Sequence, residues 1–507
     1  MYYPFLPLNI YIPDGEPHVF GDRVYLFGSH DKANGNSYCL EDYEFYSAPL
    51  SDLTKWSSKG VSYQAKQDPG YCEECPFMYA PDCVQGKDGR YYLYYAMAGF
   101  QGKKGYEGPI HVAVEEKPDG PYKYYGIVQD KTGNPFLRCV PFDPAVMNDN
   151  GVIRLYYGAG YPFENLKLPF VNKIMKKIES GIFGKTVEEI EKEPLGINGA
   201  VTVALKDDMI TIDSEPKKIT PNVTVGTQWA EHPFFEASSI RKIKDTYYFI
   251  YSSQAGHELC YATSKYPDRD FTYRGVIISN GDIGYQGRKA KDRLAMTGNN
   301  HGSIECINGH WYVFYHKQTN GTNFSRQACV EPIEILEDGS IPQVPISSMG
   351  FHGKALKPDG SFAAASACIL TNGNIGRAGN PWNKYRTVPM ITQTDNEVVL
   401  KGIKRNTRIG VRYFEFQEKE YYLEIKVRGK ANGKIKIYED ENEKSMIGKI
   451  DISESEKWRS YNTYIKPHKG IHTLMFVYKG RGNCEILEFF LLLGGNKSML
   501  IKRVNIR

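Results

Sequence analysis

Apolar positions in this chain fall into short runs of about four to eight residues, some alternating with polar residues and some continuous, rich in Tyr, Phe, Val and Ile. Gly, Asp, Asn and Pro separate the runs, so the pattern predicts β-strands and tight turns almost throughout. Five segments share one layout: DGEPHVFGDRVYLFGS, PDCVQGKDGRYYLYYA, DPAVMNDNGVIRLYYG, EASSIRKIKDTYYFIYS and HGSIECINGHWYVFYH. Each opens on an acidic residue or His (Asp14, Asp82, Asp143, Glu236, His301) and reaches an aromatic-rich strand about eleven residues later. Counted to Tyr25, Tyr92, Arg154, Tyr248 and Tyr312, the offsets are 11, 10, 11, 12 and 11.

A recurrence of this kind, with short strands inside each unit, predicts an all-β repeat fold: a five-bladed β-propeller with four strands per blade. Equivalent residues of the blades then meet on the central axis, which would gather four carboxylates and a histidine in one pocket. The propeller is placed at residues 1–350. Residues 351–369, rich in Gly, Ser and Ala, read as a linker. Residues 370–507 alternate apolar and polar positions between turns (RIGVRYFEFQ, EYYLEIKVRG, GKIKIYED, CEILEFFLLLG) and predict an antiparallel β-sandwich of jelly-roll type. One segment breaks the strand grammar. Residues Leu166 to Glu193 carry helical apolar spacing with many Lys and Glu, which predicts a helical excursion on blade three, with a solvated surface position favoured over the pocket rim or a contact with a neighbouring subunit.

Composition narrows the function classes. The formal net charge is only +4 over 507 residues, which argues against a nucleic-acid or membrane surface as partner. No stretch approaches 18 apolar residues, so no transmembrane helix is expected. The N-terminus, MYYPFLPLNIYIPDG, lacks a basic segment followed by an apolar one, so no signal peptide is expected. Together with ten Cys in no disulfide or metal pattern, this predicts a cytoplasmic location. Cys72 and Cys75 form a lone CxxC, read as reduced thiols in a loop rather than half of a zinc site. An assembly of several copies is compatible with the sequence. Aromatics make up 13 % of the chain, a level that serves both strand formation and stacking on sugar rings.

Hydrolysis of a glycosidic bond needs two carboxyl groups in different protonation states, one donating a proton to the leaving oxygen and one activating water or attacking carbon. A propeller axis supplies them from separate blades, and crowding pushes their pKa values apart. With Asp14 in IPDGEPHVFGDRVYLFGSHD, Asp143 in PFDPAVMNDNG and Glu236 in FFEASSIRKIKDTYYFIYSS, the first 340 or so residues resemble glycoside hydrolase family 43. The resemblance implies an inverting mechanism: Asp14 as base, Glu236 as acid, and Asp143 orienting the acid and raising its pKa. Inversion places base and acid carboxyls roughly 6.5–9.5 Å apart. MYAPDCV is similar to the family's blade-two WAPD motif, with Tyr79 in place of Trp and Asp82 at its end. His301 matches a histidine that in the family points into the axial channel and often meets water or a cation such as calcium. Arg326, in NFSRQ, matches an arginine near the sugar and the acid.

Two departures stand out: Ala-Ser follows Glu236 where many members have Gly-Pro, and Glu16 competes with Asp14 for the base position. Tyr79, Asp82, Trp229, His301 and Arg326 are the expected substrate-binding set. Trp229, Phe77 and Phe163 each read equally well as a sugar-stacking wall or as packing between blades. The C-terminal sandwich resembles family 6-type carbohydrate-binding modules, with bracing of the propeller the favoured role. The resemblance implies an exo-acting enzyme that removes terminal α-L-arabinofuranosyl or β-D-xylosyl residues from oligosaccharides with no required cofactor. β-D-Galactofuranosidase and endo-arabinanase activities are the alternatives within the family. A non-catalytic sugar-binding propeller is the alternative outside it, and the presence of all three carboxylates argues against that reading. A fructan-hydrolase reading lacks its Asn-Asp-Pro-Asn-Gly motif.

Overall fold

A computed structural model describes residues 3–98, 108–161, 169–373, 388–394 and 396–494. Five antiparallel sheets follow one another along the chain. Their first strands are Glu16–Phe20, Met78–Gln85, Ala145–Asp149, Phe234–Ile243 and Ile304–Ile307. The first strands neighbour one another around an axis, and a parallel bridge from Gly15 to Gly302 joins the first blade to the fifth. Gly302 has to be glycine, because a Cβ there would stand 1.9 Å from the carbonyl oxygen of Phe314.

The middle strand of each blade explains the continuous aromatic runs. Its residues alternate between the two faces of the sheet, and both faces are covered by neighbouring blades. Tyr25 and Phe27 pack with Leu93 and Tyr95, Tyr92 and Tyr94 with Leu155 and Tyr157, and Tyr156 with Phe249 and Tyr251. Tyr248 and Ile250 pack with Val313 and Tyr315, and Phe314 with Val24 and Leu26, which closes the ring. Most of the Tyr content therefore serves packing between blades. Hydroxyls that reach a backbone carbonyl, as Tyr94 does to Met209 at 2.7 Å, account for Tyr in place of Phe.

Three expectations need correction. The fifth blade has three strands among the described residues, not four; the N-terminal segment packs Phe5, Leu6 and Ile12 against it instead. The supposed linker contains a strand, Gly360–Ala363, that pairs with the last sandwich strand, Cys484–Leu493, and Ile369–Thr371 pairs with Arg408–Phe416. Small residues suggested a spacer, yet Phe362 is buried between Phe414 and Phe489. The blade-three excursion is helical as expected, with α1 at Pro169–Phe183 and α2 at Val187–Lys192, the latter started by a Thr186–Glu189 capping box. It is not merely solvated: Phe183 is 1 % exposed and faces inward.

The C-terminal strands form two antiparallel sheets packed as a sandwich. The sandwich is locked to the propeller. Cys368, Ile369, Tyr438, Met475 and Val477 share a core with blades four and five, and buried Arg412 reaches Asp282 at 2.6 Å. None of the described helices is long and apolar enough to cross a membrane.

Candidate active site

Left-handed backbone repeats at the entrance to the inner strands, with Asp14, Ala80, Asp143 and Ala237 at φ of 58°, 36°, 47° and 66°. Such a conformation is uncommon outside glycine and clusters at functional sites. Here it turns the chain so that the Asp14 and Asp143 carboxylates point into one cavity of about 190 Å³. Glu236 comes from the bulged start of blade four's inner strand, one residue before Ala237, whose N–H donates to Asp143 Oδ2 at 2.9 Å. Tyr79, His301 and Arg326 line the same cavity. Six of the eight residues singled out in the sequence therefore meet.

Arg326 organises the charge. Its Nη1 donates to Asp14 Oδ1 at 2.7 Å, while Nε and Nη2 donate to the two oxygens of buried Asp31 at 2.8 and 3.0 Å. Burial alone would raise the Asp14 carboxyl, but the Arg326 guanidinium, helped by His316 and His301, holds it well below the usual carboxylate range. Glu236 has no such partner. Burial, and then the Asp14 charge, push it up to about 8, against a smaller lowering by Arg326. Burial followed by repulsion from Glu236 and Asp14 raises Asp143 as well, so the site keeps a proton near Glu236 at neutral pH. His301 Nδ1 stands 3.6 Å from Asp143 and 3.9 Å from Asp14, and burial lowers its pKa to about 4, so the ring is neutral. One ionised and one protonated carboxyl facing a pocket is the arrangement general acid–base hydrolysis needs.

The sequence profile of glycosyl hydrolases family 43 matches residues 9–341. The chain belongs to that family. A "Xylosidase/arabinosidase" from Thermoclostridium stercorarium is 39 % identical over 503 residues, covering 96 % of this chain and 98 % of the relative. A "Xylosidase/arabinosidase" from Bacteroides ovatus is 29 % identical, covering 65 % of this chain and 94 % of its own. Among solved structures, a family 43 β-xylosidase/α-arabinofuranosidase from a compost metagenome, with xylotriose and in a calcium-free form, superposes with a TM-score of 0.50 at 25 % identity. It covers 68 % of this chain and 97 % of that structure. The chain is thus a glycosidase with the family 43 propeller.

Against that family frame, two expected site residues lie elsewhere. Asp82 is fully buried away from the cavity, bonded to His18 at 2.6 Å and to the Val146 N–H at 2.7 Å. A bulge between Tyr79 and Asp82 shifts the register: Glu16, Asp82, Ala145 and Ser239 pair with Phe27, Tyr94, Tyr156 and Ile250. Asp82 is thus the counterpart of Glu16, two residues beyond the Asp14 level. The same register sets Glu16 outside the cavity, held by Arg241 at 3.1 Å. Trp229 is 3 % exposed and packs on Tyr251 and Tyr273 within the core between blades three and four. Phe77 packs on Tyr79, and Phe163 lies outside the described residues.

Several wall residues carried no repeat signal. Tyr38 lies over the Arg326 guanidinium at 4.9 Å. Tyr161 packs edge-on against both Phe183 of α1 and Phe235, which places the helical insertion in the pocket wall. Asp31, in the GSHD stretch after blade one's second strand, is the missed charge that aims Arg326. His301 offers a ring nitrogen beside two carboxylates, one already neutralised by Arg326, and belongs to neither group of three ligating side chains among the described residues. Cys72 and Cys75 have their sulfurs 3.4 Å apart and also stand outside those groups.

Proposed function

We propose that this family 43 glycosidase removes terminal α-L-arabinofuranosyl or β-D-xylosyl residues from short oligosaccharides with inversion at the anomeric carbon. The observation that carries this reading is the small walled cavity holding Asp14, Asp143 and Glu236, with a counter-charge on Asp14 alone. Its volume of about 190 Å³ is of the order of one pentose ring, which supports exo action. The name of the Thermoclostridium stercorarium relative supports the pentose assignment.

In the proposed reaction, Asp14 stays ionised beside Arg326 and takes a proton from water. The water oxygen attacks the anomeric carbon, the glycosidic C–O bond breaks, and the Glu236 proton passes to the leaving oxygen. Asp143, fixed by the Ala237 N–H, orients the chain beside Glu236, while burial and the Asp14 charge keep Glu236 protonated. Tyr79 and Tyr38 offer faces to the sugar, and Arg326 offers a donor. The rigid contact between sandwich and propeller supports bracing as the role of the C-terminal domain.

The test is a panel of aryl α-L-arabinofuranoside, β-D-xyloside and β-D-galactofuranoside, with the anomer of the first-formed sugar read by NMR. Turnover of either pentoside with inverted product supports the reading. Turnover of the galactofuranoside alone, of polymeric arabinan alone, or a retained anomer overturns it.

A further inference from the structure

One step further along the axis from the reaction cavity lies a second charged layer. Glu16 and His18 are two apart on blade one's inner strand, so the pleat sends both side chains to one side. Asp82 joins them from blade two, at the position equivalent to Glu16. His18 Nε2 stands 2.6 Å from Asp82 Oδ1, and one ligand atom from each of the three residues lies within 4.8 Å of the others. Glu16 is 1 % exposed and Asp82 0 %.

The surrounding donors do not satisfy this layer. Arg241 Nη2 donates to Glu16 Oε2 at 3.1 Å and to the Pro17 carbonyl at 2.7 Å, and its Nε faces Glu305 at 3.3 Å. Asp82 takes the Cys83 and Val146 N–H groups, each at 2.7 Å. The Ser239 hydroxyl is placed to donate to Glu16 and shares a 2.6 Å contact with the Ser303 hydroxyl, in which either oxygen can donate. Glu16 Oε1 is buried and accepts no hydrogen bond. Three carboxylates, those of Glu16, Asp82 and Glu305, face the guanidinium of Arg241 and the ring of His18. Surplus charge of that kind is costly away from water unless something compensates it.

We propose that Glu16, His18 and Asp82 bind one divalent first-row transition cation, of the Mn²⁺ or Zn²⁺ class, on the propeller axis beneath the reaction pocket. Two carboxylate oxygens and an imidazole nitrogen suit such an ion better than calcium, which takes oxygen ligands. The cation offsets negative charge in this buried layer and engages the unpaired Glu16 oxygen. His18 exchanges its contact with Asp82 for the metal, and its 16 % side-chain exposure gives the ion a solvent route. The site clamps blade one to blade two and touches neither Asp14 nor Glu236. The other group of three, His232, Glu258 and Cys260, lacks this feature, because Glu258 Oε1 already meets His232 and Ser253 at 2.6 Å each.

The test uses the full chain stripped with chelator and titrated with Mn²⁺, which the scattered thiols bind poorly. Electron paramagnetic resonance is expected to show one saturable equivalent, with nitrogen coupling from one imidazole and a Tm that rises with Mn²⁺ by mass action. Zn²⁺ displaces the ion and equimolar Ca²⁺ does not. Glu16→Gln and His18→Gln weaken binding by about tenfold or more, whereas His232→Gln leaves it unchanged. Absence of saturable binding, or of nitrogen coupling in the wild type, overturns the proposal and leaves Glu16 as a protonated buried acid. So does loss of binding in His232→Gln with retention in His18→Gln. The coupling measurement needs no variant and decides the matter even if a substitution impairs folding.

Discussion

Two buried arginines sit in nearly identical company and do opposite things. Arg326 on the axis and Arg412 between propeller and sandwich are each 2 % exposed, and each grips two carboxylates. Arg412 reaches Asp282 at 2.6 Å and Glu441 at 2.6 and 2.7 Å, with the Ile346 carbonyl taking a further N–H at 2.9 Å. Arg326 grips Asp14 and Asp31 with similar distances. The difference lies in what surrounds the pair. Around Arg412 the partners hold one another and the cluster is a clasp. Around Arg326 two further carboxyls, Asp143 and Glu236, face the cavity without a cation of their own, so one group stays ionised while another keeps a proton. Identical chemistry becomes structural where it is balanced and reactive where it is left unbalanced.

The sharpest way to separate the two clusters is to remove one member of each. Glu236→Gln is expected to lower kcat by about 10²–10⁴ on a pentoside needing leaving-group protonation, with the fold retained by circular dichroism. In the wild type, kcat/KM is expected to fall on the alkaline side above about pH 8, as the Glu236 proton is lost; a flat profile to pH 10 would sink the assignment of the acid. Arg412→Met should do the reverse. It strands Asp282 and Glu441 and costs about 3–5 kcal/mol of stability by urea titration, while KM of the folded fraction stays within about twofold. Adding Asp282→Asn should recover part of the loss.

Smaller effects sharpen the contrast further. Phe183→Ala, in the helical part of the pocket wall, is expected to cost about 1 kcal/mol of substrate binding, about fivefold in KM, with kcat nearly unchanged. The smallest effect concerns stability at the reactive cluster. Because the folded-state pKa of Glu236 is raised above its unfolded value of about 4.3, its contribution is fully present below that unfolded value and is lost as pH rises towards about 8. Glu236→Gln should therefore stabilise the protein by about 1 kcal/mol at pH 8 and by less at pH 4, measured as the difference in Tm from wild type. A variant that is less stable at both pH values would show that Glu236 is a structural group after all.

Much of the site was legible because repetition makes a weak signal strong. Asp14, Asp143 and His301 stand at equivalent positions, and counting from the aromatic strands finds them. Counting fails where a bulge adds a residue, and so it carried Asp82 into the pocket although its backbone lies two residues deeper, beside Glu16 and His18. Trp229 could not be placed because a large ring before a catalytic strand serves a sugar and a core equally well. Asp31, Tyr38, Tyr161 and Phe183 bear no repeat signature, since each approaches the axis from a loop or an inserted helix rather than from a repeated strand.

By itself the sequence determined the class of structure and most of the side chains that meet in the cavity. Alternating apolar strands demand faces to cover them, and five similar units can cover one another only by closing a ring. Tertiary structure decided the rest. Which carboxyl keeps its proton depends on where Arg326 points, and that depends on Asp31, 295 positions away. The linker-like run at residues 360–363 became a strand because a partner strand more than a hundred residues downstream had an open edge. Local pattern specifies what a segment can form; burial and long-range charge, which no local pattern contains, specify what it does.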